Sequence, residues 1–234
     1  MNIVITGASK GIGKALAMKF ATPENNIFIT ARNENELSNT TKELIEKSHN
    51  ANIKYFAADL SDKDSSAKFS TWLTEQNVTP DILINNAGQF IPGSIYNEPD
   101  GALEKMLAAN LYSAYYLTRA LLPFMMDKKS GHIFNMSSIA SLSAYNNGGS
   151  YSISKFALTG FSKNLREELK PYQIKVTTVY PGAVFTSSWE GSGIEPSRIM
   201  EVADVVEMIF AASKLSPQAC VEDIIIRPQL GDLP

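Results

Sequence analysis

Two hydrophobic rhythms alternate along the chain. Short runs rich in β-branched residues read as buried strands, and the longer stretches between them space their apolar residues three and four apart, as helices do. Ile3–Ile5 predicts a first strand and Gly11–Ala21 a helix, which Thr22-Pro23 ends. Asn26–Thr30 predicts a second strand, followed by a polar helix over Asn33–Lys47 with Asn33 as its cap. Next come a strand at Ile53–Ala57 and a helix over about Asp62–Gln76, with Phe69, Trp72 and Leu73 on its apolar side. A fourth strand, Asp81–Ile84, runs into Asn85-Asn86-Ala87-Gly88 and then one long helix over roughly Gly101–Met126. Gly131–Met136 predicts the fifth strand, the stretch from Tyr151 to Leu169 a helix, and Ile174–Val179 the sixth strand, ending at Pro181-Gly182. Val202–Ser213 is a late helix and Val221–Ile226 a final strand. This alternation predicts an α/β fold, a single doubly wound Rossmann-type domain whose seven-stranded parallel sheet carries helices on both faces. Such sheets bind ligands beyond the carboxyl ends of their strands, where the strand order reverses.

Composition narrows the classes of function. A chain of 234 residues can bury one sizeable core or two small ones, and no repeat, low-complexity tract or Pro/Gly-rich linker divides it, so residues 1–234 read as one domain. Net charge is −3 with both signs scattered, which offers no basic face to nucleic acid. No apolar run approaches the ~18–20 residues that span a bilayer, so no membrane partner is expected. Met1 leads almost directly into Ile3-Val4-Ile5, without the segments of a secretory signal, and the expected compartment is the cytoplasm. Cys220 is the single cysteine, which excludes an intrachain disulfide, and it reads as core filler. His49 and His132 are too few and too separate for a metal cluster, so no metal is expected.

Chemistry concentrates in two places. Tyr151 and Lys155 stand four apart on a predicted helix and share one face. A free tyrosine, with a pKa of about 10, is a poor proton carrier near neutrality. A neighbouring ammonium favours the phenolate and is expected to lower that value toward the useful range. Taken alone, the pair is also what a half-buried Tyr beside a snorkelling Lys produces. The second place is Thr6-Gly7-Ala8-Ser9-Lys10-Gly11-Ile12-Gly13, between the first strand and the first helix. Glycines there let the backbone approach a pyrophosphate, whose charge the helix N-terminus favours. Their spacing, Gly-x-x-x-Gly-x-Gly, differs from the generic dinucleotide fingerprint. After the second strand, a form specialised for NAD carries an acid for the ribose 2′-hydroxyl, whereas this chain reads Ala31-Arg32. Arg32 and Lys10 can converge on a 2′-phosphate, so NADP(H) is expected over NAD(H).

In this order, the motifs resemble the short-chain dehydrogenase/reductase family in its ordinary single-domain form, with NADP(H)-dependent members such as 3-oxoacyl-carrier-protein, sepiapterin and carbonyl reductases. Thr6–Gly13 is similar to the family's Thr-Gly-x-x-x-Gly-x-Gly turn, which implies cofactor contacts at Gly7, Ser9, Lys10, Gly11, Ile12 and Gly13. Asp59-Leu60 resembles its acidic adenine contact, although an acid there also suits a loop turn. Asn85-Asn86-Ala87-Gly88 is similar to a segment that steadies the sheet and lines the cofactor, with Asn85 structural and Asn86, Ala87 and Gly88 in contact. Asn110 matches the family's structural and proton-relay asparagine, and Ser138 stands before Tyr151 at the spacing of its catalytic serine. Pro181-Gly182, with Val184 and Thr186 beyond, resembles its nicotinamide-side loop. Ser137 and Ser141 read as hydroxyls bonding local backbone, and Ser143 and Tyr145 as bordering the substrate.

The resemblance implies an oxidoreductase that passes hydride between NADP(H) and a carbonyl or secondary alcohol, a small molecule. Tyr151 would protonate the nascent alkoxide and also contact the cofactor, Lys155 lower its pKa and hold the nicotinamide ribose, Ser138 direct the carbonyl oxygen, and Asn110 hold a water leading from Lys155 to solvent. A non-catalytic NADP(H)-binding sensor is the alternative, one that would tolerate loss of the serine, tyrosine or lysine. A short substrate flap is expected over about 183–200, with Trp189 as an apolar wall beside Glu190-Gly191-Ser192-Gly193. The resemblance also implies a homo-oligomer: a homodimer through the long helix and the Tyr151 helix, or the homotetramer of many relatives. The tail Ile226–Asp232 lacks the Val-Asp-Gly-Gly close of those tetramers.

Overall fold

The computed structural model describes residues 1–48, 51–186, 189 and 193–233. Its strands are β1 (Asn2–Thr6), β2 (Asn26–Ala31), β3 (Asn52–Ala57), β4 (Ile82–Asn85), β5 (Gly131–Met136), β6 (Ile174–Pro181) and β7 (Asp223–Ile226). They form one parallel sheet in the order β3-β2-β1-β4-β5-β6-β7, so the winding reverses between β1 and β4. A crevice at their carboxyl ends is the ligand position that such a reversal creates.

Because strand side chains alternate, the apolar runs feed two cores rather than one. Ile3, Ile5, Ile27, Ile29, Ile82 and Ile84 face one side, where they meet α1 (Gly11–Phe20), α2 (Glu34–Lys47) and α7 (Val202–Ser213). Val4, Phe28, Leu83 and Ile133 face the other, against α3 (Lys63–Glu75), α5 (Ser113–Lys128) and α6 (Gly149–Leu169). Phe69 and Leu73 do pack there, with the Trp72 ring stacked on Phe69.

The long helix predicted over Gly101–Met126 is interrupted. Gly101 takes a left-handed φ of 83°, α4 covers Ala102–Leu107, and the turn Ala108–Tyr112 is a π-helix that leads into α5. Asn110 lies in the middle of this widened turn, and its side chain bonds to Gln89 and Ser154 outside it. Such insertions cluster at functional sites. The final strand begins at Asp223, two residues later than expected, and Cys220 ahead of it is half-buried with Sγ toward the Val176 carbonyl, not core filler. His132 lies inside β5, buried, its Nε2 paired with the Thr177 hydroxyl; His49 lies outside the described residues. Among the described residues, no helix is long and apolar enough to cross a membrane.

Candidate active site

The glycine turn is held open from two sides. Thr6 Oγ1 accepts from the Asn86 and Ala87 N–H groups at 3.0 and 2.8 Å, and Asn86 Nδ2 donates to the Thr6 and Gly7 carbonyls at 2.9 and 3.1 Å. These bonds lace β1 to β4 across the reversal. A Cβ on Gly13 would be driven into the Gly7 carbonyl, so α1 can approach the turn this closely only with glycine. Asn33 and Asp62 cap α2 and α3 with their side chains, but Lys10 gives α1 no such bond and its first turn holds no acid. The cap residue therefore offers the N–H groups at the start of α1 no side-chain acceptor, and a helix start of this kind faces an anion favourably.

Lys10 and Arg32 are both exposed, and neither enters an ion pair among the described residues. One acid went unnoticed in the sequence. Glu36, in the first turn of α2, accepts from the Ser9 hydroxyl at 3.4 Å, and Thr40 donates to the Ser9 carbonyl at 2.7 Å. Its signal was available, since the Asn33 cap places Glu36 at the helix start.

Other expected contacts divide by what their side chains already do. Asp59 accepts from the Ser61 N–H at 3.0 Å and hydroxyl at 2.6 Å, the local turn that was its competing reading. Leu60 and Val184 are buried in the two cores, so only their backbones are free to meet a cofactor. Ile12 also packs partly on the core. Gly182 donates to the Ile226 carbonyl at 2.8 Å, fixing the Pro181-Gly182 bend to β7. Thr186 lies over Gly11, which brings the loop after β6 onto the glycine turn. Of the flap expected at about 183–200, residues 187, 188 and 190–192 lie outside the described residues; Trp189 donates its N–H to the Thr186 carbonyl. An open hollow of about 1160 Å³ borders this loop, between Phe185, Met200 and Pro228. Tail residues Ile226–Leu230 also line it, and none of Tyr151, Ser138 and Lys155 does, so the convergence of reactive side chains locates the site better than the size of a hollow.

Tyr151 sits in the first turn of α6, and Lys155 one turn later, as the spacing predicts. Serines at 150, 154 and 162 are buried on this helix, which packs on the sheet at β5 and β6. Ser138 caps the short turn Ile139–Ser141, accepting from the Ala140 N–H at 3.1 Å. Its own proton is left to donate, and the hydroxyl lies beside the Tyr151 phenol and favours the phenolate. Ser137 points elsewhere, into a buried net with the Ser141 and Thr159 hydroxyls and the Lys155 carbonyl. Ser141 donates to the Ser138 carbonyl at 2.7 Å. Tyr145 stands near enough to Tyr151 for their charges to interact, with its own pKa pushed up to about 12, chiefly by burial, whereas Ser143 is exposed. Phe90 was missed individually: its ring stands edge-on to Tyr151, with centroids 4.8 Å apart.

Lys155 corrects one expectation. Its Nζ donates to the Met136 carbonyl at 2.7 Å and lies 5.8 Å from the centre of the Tyr151 ring. Burial therefore dominates both groups: the phenol is pushed above its ordinary value, with only Ser138 opposing, and the ammonium is pulled down to about 8. Asn110 fills the structural half of its expected role. Its Oδ1 accepts from the Gln89 N–H at 2.7 Å, and its Nδ2 donates to the Gln89 carbonyl and the Ser154 hydroxyl, both at 2.9 Å. The amide thus anchors the loop after β4 to α6, and Gly88 lies between its Oδ1 and Lys155 Nζ. Little of the side chain is left to hold a water.

Comparison with known proteins agrees with this layout. The model of the short chain dehydrogenase family matches residues 1–194. A sepiapterin reductase of Chlorobaculum tepidum is 29% identical over 239 aligned residues, covering 99% of this chain and 97% of the relative. Among solved structures, a metagenomic short-chain oxidoreductase in complex with NADP is 30% identical, with a TM-score of 0.82 over 98% of this chain and 97% of its own. A short-chain dehydrogenase from Sphingobium yanoikuyae in complex with NADPH is 27% identical, with a TM-score of 0.84 over 96% and 87%.

Proposed function

The chain belongs to the short chain dehydrogenase family, and from that premise we propose that it is an NADPH-dependent carbonyl reductase, running in reverse as an alcohol dehydrogenase. One observation carries the reading: Tyr151 lies beside both Ser138 and Lys155, and Lys155 Nζ lies beside Gly88, at the reversal crevice near the glycine turn. The residues present suit a nicotinamide dinucleotide. The uncapped start of α1 would take the pyrophosphate, Asn86 and Gly88 would line the ribose and nicotinamide side, and Lys10 with Arg32 would take a 2′-phosphate. When bound, that group supplies or accepts the hydride. Ser138 donates to the carbonyl oxygen and fixes its direction, and Tyr151 delivers the proton as negative charge builds there. A phenol raised by burial is held in its acid form, which suits it to give a proton rather than take one. A sensor without catalysis would have no need of these three groups together.

The test is NADPH oxidation over ketoacyl thioesters, pterin side chains, sugars, steroids and small ketones, with Tyr151→Phe as the blank. No turnover above that blank would reject the reading. Arg32→Ala is expected to lower the ratio of kcat/KM with NADPH to that with NADH by about 10- to 100-fold, the cost of losing a charge-assisted pair. Glu36 sets negative charge near the same position, so both cofactors must be measured. An unmoved ratio would remove Arg32 from the cofactor site. A homodimer through α5 and α6 is proposed too, supported by Phe124, Ile153 and Phe156, which stand exposed on those helices. Light scattering that finds only monomer at micromolar concentration would reject it.

A further inference from the structure

Helix α6 begins without a cap of its own, because Gly148 has no side chain to take up its free N–H groups. The cap comes from another element. Glu98, in the segment between β4 and α4, accepts from the Ser150 N–H at 3.2 Å and from the Ser150 hydroxyl at 2.6 Å. Its charge sits at the positive end of the helix dipole. Two more bonds close the same seam: Gly93 N–H to the Asn147 carbonyl at 3.1 Å, and the Ser94 hydroxyl to Asn147 Oδ1 at 3.0 Å. At Gly149, where φ is +30°, a Cβ would run into the Gly93 carbonyl and Glu98 Oε2, so the two segments meet too closely for any larger residue. Ser150 immediately precedes Tyr151, and Phe90 belongs to the clasped segment. Phe90 is 53% exposed and Tyr145 46%, so aromatic surface near the phenol stays open to a substrate.

We propose that Glu98 is a positioning residue for the reaction. By clasping the 89–98 segment to the first turn of α6, it fixes the Tyr151 hydroxyl beside Ser138 and holds Phe90 as the wall that orients the substrate carbonyl. This rests on the reductase reading above, so its test includes a measurement that needs no turnover.

The full-length parent, Glu98→Ala, Glu98→Gln and Ser150→Ala are compared in three ways. These are kcat and KM with the ketone reduced fastest in the screen, NADPH affinity by nucleotide fluorescence, and the alkaline titration of Tyr151. The last is isolated as the ultraviolet difference between each protein and its Tyr151→Phe counterpart. Glu98→Ala is expected to lower kcat about 10- to 100-fold, the scale of a small misplacement of reacting groups. NADPH affinity should hold, since the glycine turn is untouched, and the phenol should titrate lower as water reaches it. Glu98→Gln should recover most of the loss, because an amide can accept from the N–H and donate to the hydroxyl. Ser150→Ala should fall between them. A Glu98→Ala protein with kcat within about threefold of the parent and an unmoved phenol overturns the proposal, as does a loss of NADPH affinity equal to the loss of kcat. A parent that reduces nothing in the screen rejects the reductase reading, and the phenol titration then decides on the clasp alone.

Discussion

Tyr151→Phe is expected to lower kcat for carbonyl reduction by about 10²–10⁴-fold, the range that a positioned proton donor supplies. The substitution removes only the hydroxyl beside Ser138 and keeps the ring that Phe90 meets edge-on, so the fold and NADPH affinity should be unchanged. Steady-state kinetics and nucleotide binding on one preparation check both halves. A kcat within about tenfold of the parent would mean that the proton comes from elsewhere, with Tyr145 the next phenol to examine.

Lys155→Met is expected to make the protein more stable and nearly inactive. Burial holds the Lys155 ammonium at a pKa of about 8 against an ordinary 10.5, so the folded state resists its charge. Below about pH 8 the group is charged both folded and unfolded, and the whole penalty, about 3 kcal/mol, is present. Between about 8 and 10.5 the unfolded chain holds the proton more tightly, and the parent gains stability as pH rises. Methionine keeps the apolar stem and deletes the charge, but leaves the Met136 carbonyl without its donor. The net gain at neutral pH should be about 1–2 kcal/mol, a few degrees in Tm for a chain of this length. Turnover should fall at least about a hundredfold, since the cation beside Gly88, on the side where the nicotinamide ribose would bind, is gone. In the parent, reduction should run level through neutral pH and decline above about pH 8 as Lys155 discharges, while alcohol oxidation, which needs the phenolate, climbs. A Lys155→Met protein that melts below the parent would contradict this account of the buried charge.

The same lysine shows where sequence reasoning stops. Spacing put Tyr151 and Lys155 on one helical face, and attraction between phenolate and ammonium followed from that face alone. Which carbonyl captures the ammonium, and how much water reaches the phenol, depend on the end of β5 and on Phe90, both distant in sequence. Asn110 repeats the lesson. Its place in an apolar helix marks it as unusual, but no periodicity encodes the π turn around it or its bonds to Gln89 and Ser154. Ser137 and Ser138 were neighbours of equal chemistry until the chain turned one hydroxyl inward and the other toward the phenol.

By itself the order of residues determined the alternation of strands and helices, the sheet they build, and the glycine turn, because these rest on local periods and on backbone sterics that act within a few residues. The pairing of Tyr151 with Lys155 belongs to the same class. Only the tertiary structure decided the side-chain partners: Lys155 on Met136, Glu36 at Ser9, and Glu98 across the seam at Ser150. Those contacts join residues that lie on different elements, and burial and hydrogen-bond competition choose among them only after the two cores have closed.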